Sequence, residues 1–312
     1  MILDAPHGAR TQRHLLDLDA MPRAELERVL HLAVEMRAAR AARAHRSLLE
    51  GETVGLAFYE GSTRTRVSFE LAAKALGATV VDLAVAGSSV GKGESLVDTL
   101  RTLERMGVTT LVLRHAAAGA PYLAARTTGL AIVNAGDGTH AHPTQALLDA
   151  LTLREALGSL DGRTVAIVGD VVHSRVARSN IHALVTLGAG VRLGGPPAWV
   201  RGFEARDGVV VSTSLDQALA GADAVMTLRV QLERSAEGGI PSLREYIRHW
   251  RLDEARMRLA APDAPILHPG PTNEGVELTA ELANGPRSLI GRQVEHGVPV
   301  RMAVLALVTG AA

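Results

Sequence analysis

The sequence predicts an α/β protein of two doubly wound domains, each with a mainly parallel central sheet flanked by helices. Short apolar runs alternate with segments of helical periodicity along most of the chain. That alternation forms two series, divided by the segment Gly158 to Gly162. At 312 residues the chain is too long for one ordinary core and suits two.

From Pro22 to about Ala44, Leu26, Val29, Leu30, Ala33 and Met36 fall at helical spacing, with Pro22 suited to a first helical position. Strands are expected at Thr53 to Phe58, Thr79 to Leu83, Val108 to Leu113 and Leu130 to Val133, separated by helix-like segments. A helix near Gln145 to Leu157 leads to the second series. Its strands are expected at Thr164 to Val168, Gly190 to Leu193, Val209 to Val211 and Ala224 to Leu228, with Ile266 to His268 last. The pattern from Arg287 to Thr309 predicts a closing helix that returns to the first domain. The expected domains are therefore 1–150, completed by 287–312, and 151–286.

Lys plus Arg and Asp plus Glu each total 33, so positive charge must be gathered locally rather than spread for nucleic acid or a membrane surface. With no cysteine there is no disulfide, thiolate metal site or cysteine nucleophile. The N-terminus lacks the apolar core of a signal peptide, and no stretch is apolar enough for a transmembrane helix, so a soluble cytoplasmic protein is expected.

Chemistry concentrates at strand ends. After Phe58 comes Tyr59-Glu60-Gly61-Ser62-Thr63-Arg64-Thr65-Arg66, opening a helix that Gly77 closes. A helix N-terminus offers unpaired N–H groups and partial positive charge, and Ser, Thr and Arg add donors that fit phosphate oxygens. A capping serine with solvated arginines is the plainer alternative, but five consecutive hydroxyl and guanidinium residues exceed what capping needs. A second cluster, Gly136 to Gln145 (GDGTHAHPTQ), brings His142 and Gln145 to the carboxyl end of the sheet, where open α/β folds bind ligands. His140 and His142 are spaced like a metal pair, yet no third and fourth ligands accompany them. Arg114 closes the strand VTTLVLR at the same edge.

In the second half, Gly169 to Arg175 occupies a strand-to-helix position without the G-x-G-x-x-G of a dinucleotide site. Arg175 and Arg229 then form two cationic points suited to a ligand with two carboxylates. His268-Pro269-Gly270-Pro271 fixes a bend, either a rigid interdomain turn or one whose carbonyls face a ligand. The Gly-rich loop Ala84 to Glu94 carries Lys92.

Taken in order, FYEGSTRTRVSFE, SSVGKGES, LVLRH, HAHPTQALLD, the Arg175 helix entrance, TLRVQLER and LHPGPTNEGVEL resemble the aspartate/ornithine carbamoyltransferase family across nearly the whole chain. STRTR and HPTQ are shared by the family; RVQLER and HPGP resemble its aspartate branch, and no cysteine is present for the H-C-L-P element of ornithine enzymes. Two departures are Gly61, where many members have proline, and Glu274, where arginine is common. The resemblance implies carbamoyl transfer from carbamoyl phosphate to L-aspartate, the committed step of pyrimidine (UMP) biosynthesis, without cofactor or metal. It implies carbamoyl phosphate binding by Ser62, Thr63, Arg64, Thr65, Arg114, His142, Gln145, Gly270 and Pro271, and aspartate binding by Lys92, Arg175, Arg229 and Gln231. Arg64, Thr65, Arg114, His142 and Lys92 would be catalytic. Lys92 would reach a neighbouring subunit's site, making a homotrimer the smallest complete catalyst. Assembly with regulatory chains or dihydroorotase stays open. The nearest rival is a carbamoyltransferase with another acceptor, such as ornithine or an acylated ornithine, differing at Arg229 to Glu233; a non-catalytic homologue and a metal-dependent hydrolase built on His140 and His142 are the others.

Overall fold

A computed structural model describes residues 14–44, 46–83, 94–230 and 242–312. The chain divides into two compact units, 1–148 with 295–312 and 149–294.

In the first unit, α1 (Arg23–Ala41) packs Leu26, Val29, Leu30, Ala33 and Met36 inward. Pro22 is its N-cap rather than its first helical residue. There follow β1 (Thr53–Phe58), α2 (Thr63–Ala75), β2 (Thr79–Leu83), α3 (Leu96–Arg105), β3 (Thr110–His115), α4 (Ala120–Thr127), β4 (Ala131–Asp137) and α5 (Pro143–Leu157). The four strands pair in parallel in the order β2-β1-β3-β4. β1 and β3 are nearly continuous apolar runs because both faces are covered: Leu111, Leu113, Leu100, Ala124 and Ile132 share one buried cluster. An extended segment at Leu15 bridges to β4, donating to the Ile132 carbonyl and accepting from Asn134, each at 2.9 Å.

The second unit contains β5 (Thr164–Val168), α6 (Arg175–Thr186), β6 (Gly190–Gly194), α7 (Pro197–Val200), β7 (Val209–Ser212), α8 (Leu215–Leu219), β8 (Ala224–Thr227), α9 (Leu243–Trp250), α10 (Glu254–Met257), β9 (Ile266–Leu267) and α11 (Ala280–Asn284). Its five strands are parallel, ordered β7-β6-β5-β8-β9. Ala166, Val168, Val225 and Ile266 of the sheet bury against Tyr246, Trp250, Leu219 and Leu278. The division between the units falls within α5 and within the last helix, α12 (Ile290–Val308).

The expected α/β architecture is present, and β1, β2 and β5 have the expected limits. β3 and β4 run further than their apolar stretches, to His115 and Asp137, because the ladder continues between those polar residues. β9 stops at Leu267, one residue earlier than expected. No helix among the described residues is long and apolar enough to cross a membrane.

Candidate active site

In the first sheet the chain leaves β1 for β2 on one side and then crosses to β3 on the other. Such a reversal opens a crevice at the carboxyl ends of the two central strands. Ser62 stands there as N-cap of α2, in extended backbone, and its hydroxyl makes no capping bond. Capping is therefore not what that hydroxyl does. Thr63 begins the helix and Thr65 is buried two residues on. The two arginines of the cluster part company. Arg66 is held by Asp82 of β2, whereas Arg64 is exposed at the helix entrance.

Across the crevice, Arg114 lies opposite Phe58 in the β1–β3 register, and the Tyr59 N–H donates to its carbonyl at 2.9 Å. The guanidinium donates to the Ala135 carbonyl at 3.2 Å and lies 3.7 Å from Glu60. It is thereby held across the ends of β3 and β4. A Cβ at Gly61 would meet nothing within 4 Å, so replacing the usual proline leaves the turn open rather than altering a contact.

His142 enters from β4 through a loop organised by Asp137, which is fully buried. The Asp137 carboxylate accepts from Asn134 Nδ2 at 2.8 Å, the Gly119 N–H at 2.7 Å and the Ala141 N–H at 3.1 Å. His140 packs between Asp137 at 3.1 Å and Asp17 at 3.3 Å. The hydrogen bond to Asp137 holds its pKa above the ordinary imidazole value. His140 thus braces the loop while His142, buried beside α5, and Gln145 in its first turn follow. Gly138 has φ +48°, and a Cβ there would come 2.9 Å from the Ala118 nitrogen. Among the described residues no group of three or more His, Asp or Glu is arranged to hold a metal ion.

The second sheet reverses between β5 and β8. After β5, Gly169 takes φ +125°, and a Cβ would crowd Leu228 and the Tyr246 hydroxyl at 3.2–3.3 Å. Buried Asp170 binds His173 Nδ1 at 2.8 Å, and Ser174 caps α6 by accepting the Ala177 N–H at 3.1 Å. Arg175 is the first residue of that helix. Arg229 follows β8 next door, where the Leu228 N–H donates to the Val168 carbonyl at 2.8 Å. The structure therefore brings the segments carrying Arg175 and Arg229 to adjacent strand ends, at the reversal. The turn His268 to Pro271 follows the next strand, β9, and the Gly270–Pro271 peptide is cis.

Two supports lie inside the motifs, but their roles are not legible from them. Glu277, fully buried, accepts the Val230 N–H at 2.8 Å, the Asn273 N–H at 2.9 Å and Asn273 Nδ2 at 2.7 Å. Burial holds its pKa above the usual carboxylate range, against the pull of those bonds. Asp137, in the Gly136 to Gln145 cluster, is the other; an acidic residue reads as surface unless its partners are known. Lys92 and Gln231 lie outside the described residues.

Chemically, the first unit offers a helix N-terminus, hydroxyls and guanidiniums fitted to a small phosphate-like anion. The second presents two guanidinium-bearing segments at adjacent strand ends, matched to a dianion.

Residues 13–155 match the family model described as aspartate/ornithine carbamoyltransferase, carbamoyl-P binding domain, and residues 161–308 the Asp/Orn binding domain. The aspartate carbamoyltransferase catalytic subunit of Granulibacter bethesdensis is 53% identical over 94% of this chain and 93% of its own. That of Gluconobacter oxydans is 52% identical over 96% of each. Among solved structures, aspartate transcarbamoylase from Trypanosoma cruzi in complex with carbamoyl phosphate and aspartate superposes with a TM-score of 0.83 at 34% identity, covering 94% and 95% of the two chains. Ornithine carbamoyltransferase from Pyrococcus furiosus gives 0.88 at 28% identity, covering 96% and 97%.

Proposed function

The chain belongs to the aspartate/ornithine carbamoyltransferase family, and we propose that it carbamoylates the amino group of L-aspartate from carbamoyl phosphate, giving N-carbamoyl-L-aspartate and phosphate. This is the committed step of pyrimidine biosynthesis. The observation that carries the choice of acceptor is the placement of Arg175 and Arg229 at adjacent strand ends on the β5–β8 reversal. Two guanidiniums match two carboxylates, whereas the ammonium of ornithine would meet repulsion there. Relatives at 50–53% identity carry the aspartate enzyme's name, which supports the same acceptor.

Ser62, Thr63, Arg64 and Thr65 hold the phosphate at the α2 entrance. Arg114 and His142 face the carbonyl oxygen with Thr65, Gln145 the carbamoyl nitrogen, and the Gly270–Pro271 turn contributes backbone carbonyls. The aspartate nitrogen attacks the carbonyl carbon; a C–N bond forms, the C–O bond to phosphate breaks, and phosphate leaves with the bonding pair as the amine releases a proton. Donors aimed at the oxygen that gathers charge are worth about 2.7–4 kcal/mol each in well-measured enzymes. Orientation of two bound substrates can supply up to roughly 7–11 kcal/mol. The protein's part is placement and electrostatics, with no covalent intermediate.

The working unit is a homotrimer in the cytoplasm, with Lys92 and Gln231 completing the aspartate site and Lys92 supplied across a subunit boundary. Val67, Leu71 and Val81 stand 39%, 45% and 39% exposed on α2 and on the strand leading to the Lys92 loop, which supports burial there against another copy.

Acceptor profiling of wild type and Arg229→Ala with L-aspartate and L-ornithine tests the assignment. Product with aspartate alone, largely lost in the variant, is expected; equal use of ornithine would overturn it. For assembly, Lys92→Ala subunits mixed with Arg114→Ala subunits should regain activity, and full activity in a monomeric fraction would refute the shared site.

A further inference from the structure

A carboxylate to which the motif HAHPTQALLD assigns no role lies deep in the second unit. Asp149, on α5 one helical turn beyond Gln145, is 0% exposed. One oxygen accepts from Gln293 Nε2 at 2.7 Å and the other from Asn180 Nδ2 at 2.8 Å. Gln293 accepts the His268 N–H on Oε1 at 3.0 Å, and His268 Nδ1 accepts the Gly270 N–H at 2.8 Å. Asn180, Gln293 and His268 are themselves buried.

Every bond in this chain runs one way. A carboxylate only accepts, so it draws the amide nitrogens of Gln293 and Asn180 toward itself. The Gln293 oxygen is thereby turned to the His268 N–H, and the turn is fixed from its first residue to Gly270. On the other side, Asn180 sits in α6, five residues after Arg175, and donates also to the Val176 carbonyl at 3.0 Å.

We propose that Asp149 is a positioning residue that sets both the His268–Pro271 turn and the entrance of α6, and so governs carbamoyl phosphate and aspartate binding through two separate arms. The proposal rests on the roles given above to Gly270, Pro271 and Arg175. An asparagine at 149 keeps the shape but sets a donor against one of the two amide nitrogens. Gln293 can then reverse, presenting its amide nitrogen to the His268 N–H.

Four variants test this by steady-state kinetics and by hydrogen exchange of the 266–271 segment. Gln293→Met should raise the KM for carbamoyl phosphate and speed exchange. Asn180→Leu should raise the KM for aspartate and leave that exchange unchanged. Asp149→Asn should do both, by about tenfold, the scale of one misdirected buried hydrogen bond. Asp149→Asn with Asn180→Asp restores the donor–acceptor order at that contact and should recover part of each loss. If Asp149→Asn lowers Tm alone, with both KM values and the exchange as in wild type, or if the Gln293 and Asn180 variants move the same parameter, the proposal is overturned. A wild type without transferase activity would refute the assigned reaction instead, and unchanged exchange in Asp149→Asn and Gln293→Met would still overturn the network.

Discussion

Removing Glu277 should damage aspartate binding without touching any group that contacts substrate. Its carboxylate takes the N–H groups of Val230 and Asn273, at 2.8 and 2.9 Å, in a site with no exposure. Glu277→Ala leaves both backbone donors buried without that acceptor. Each such donor costs about 1–3 kcal/mol, so the expected loss is roughly 2–6 kcal/mol before any cavity term. Glu277→Gln keeps one oxygen, which can still serve Val230 and Asn273 Nδ2, but turns an NH2 toward the Asn273 N–H; about 1–3 kcal/mol is expected. Because Val230 follows Arg229, relaxation of that segment displaces the guanidinium. Urea unfolding should therefore rank wild type above the Gln variant and the Gln variant above the Ala variant, and the KM for aspartate should rise in the same order. Wild-type stability and an unchanged aspartate KM in Glu277→Ala would refute this reasoning.

Other outcomes follow from the same geometry. The Ser62 hydroxyl makes no cap whereas Ser174 caps α6, so Ser174→Ala should cost about 0.5–2 kcal/mol in urea unfolding. Ser62→Ala should leave stability nearly unchanged and raise the KM for carbamoyl phosphate. Gly138→Ala forces a side chain at φ +48° to within 2.9 Å of the Ala118 nitrogen; a loss of about 1–3 kcal/mol and of turnover, measured by unfolding and kinetics, is expected as the His142 loop shifts. The folded pKa of His140 is raised from 6.5 by Asp137, so its contribution is fully present below that pH and is lost as pH rises through the folded value. The Tm gap between wild type and His140→Gln should be wide near pH 6 and shrink by about pH 9; a gap growing toward alkaline pH would contradict the ion pair.

How legible each part was depended on how local its cause is. β1 and β2 could be bounded because turn residues punctuate short β-branched runs, as at Gly51 and Gly77, where φ is positive. β3 and β4 were cut short because Arg114, His115, Asn134 and Asp137 are polar and Gly136 interrupts the apolar run. Their strand state comes from the neighbouring strand, not from their own preference. Four-residue helices such as Pro197–Val200 carry too little periodicity to detect. At the site, the hydroxyl and guanidinium cluster from Ser62 to Arg66 and the His142 segment announced themselves by composition. What brings the segments carrying Ser62 and Arg114, and those carrying Arg175 and Arg229, to adjacent strand ends is strand order, which a linear pattern does not contain. The roles of Asp137, Asp149 and Glu277 were illegible, although all three lie inside quoted motifs, because an acidic side chain looks the same in sequence whether it faces water or buried donors.

The most direct measurement follows carbon-13-labelled carbamoyl phosphate by nuclear magnetic resonance in the presence of the protein and L-aspartate. The account predicts that the labelled carbon passes to a ureido carbonyl bonded to the aspartate nitrogen, with matching phosphate release, and that Arg114→Ala nearly abolishes the transfer. Label appearing only in hydrolysis products, at the rate seen without protein, would contradict it.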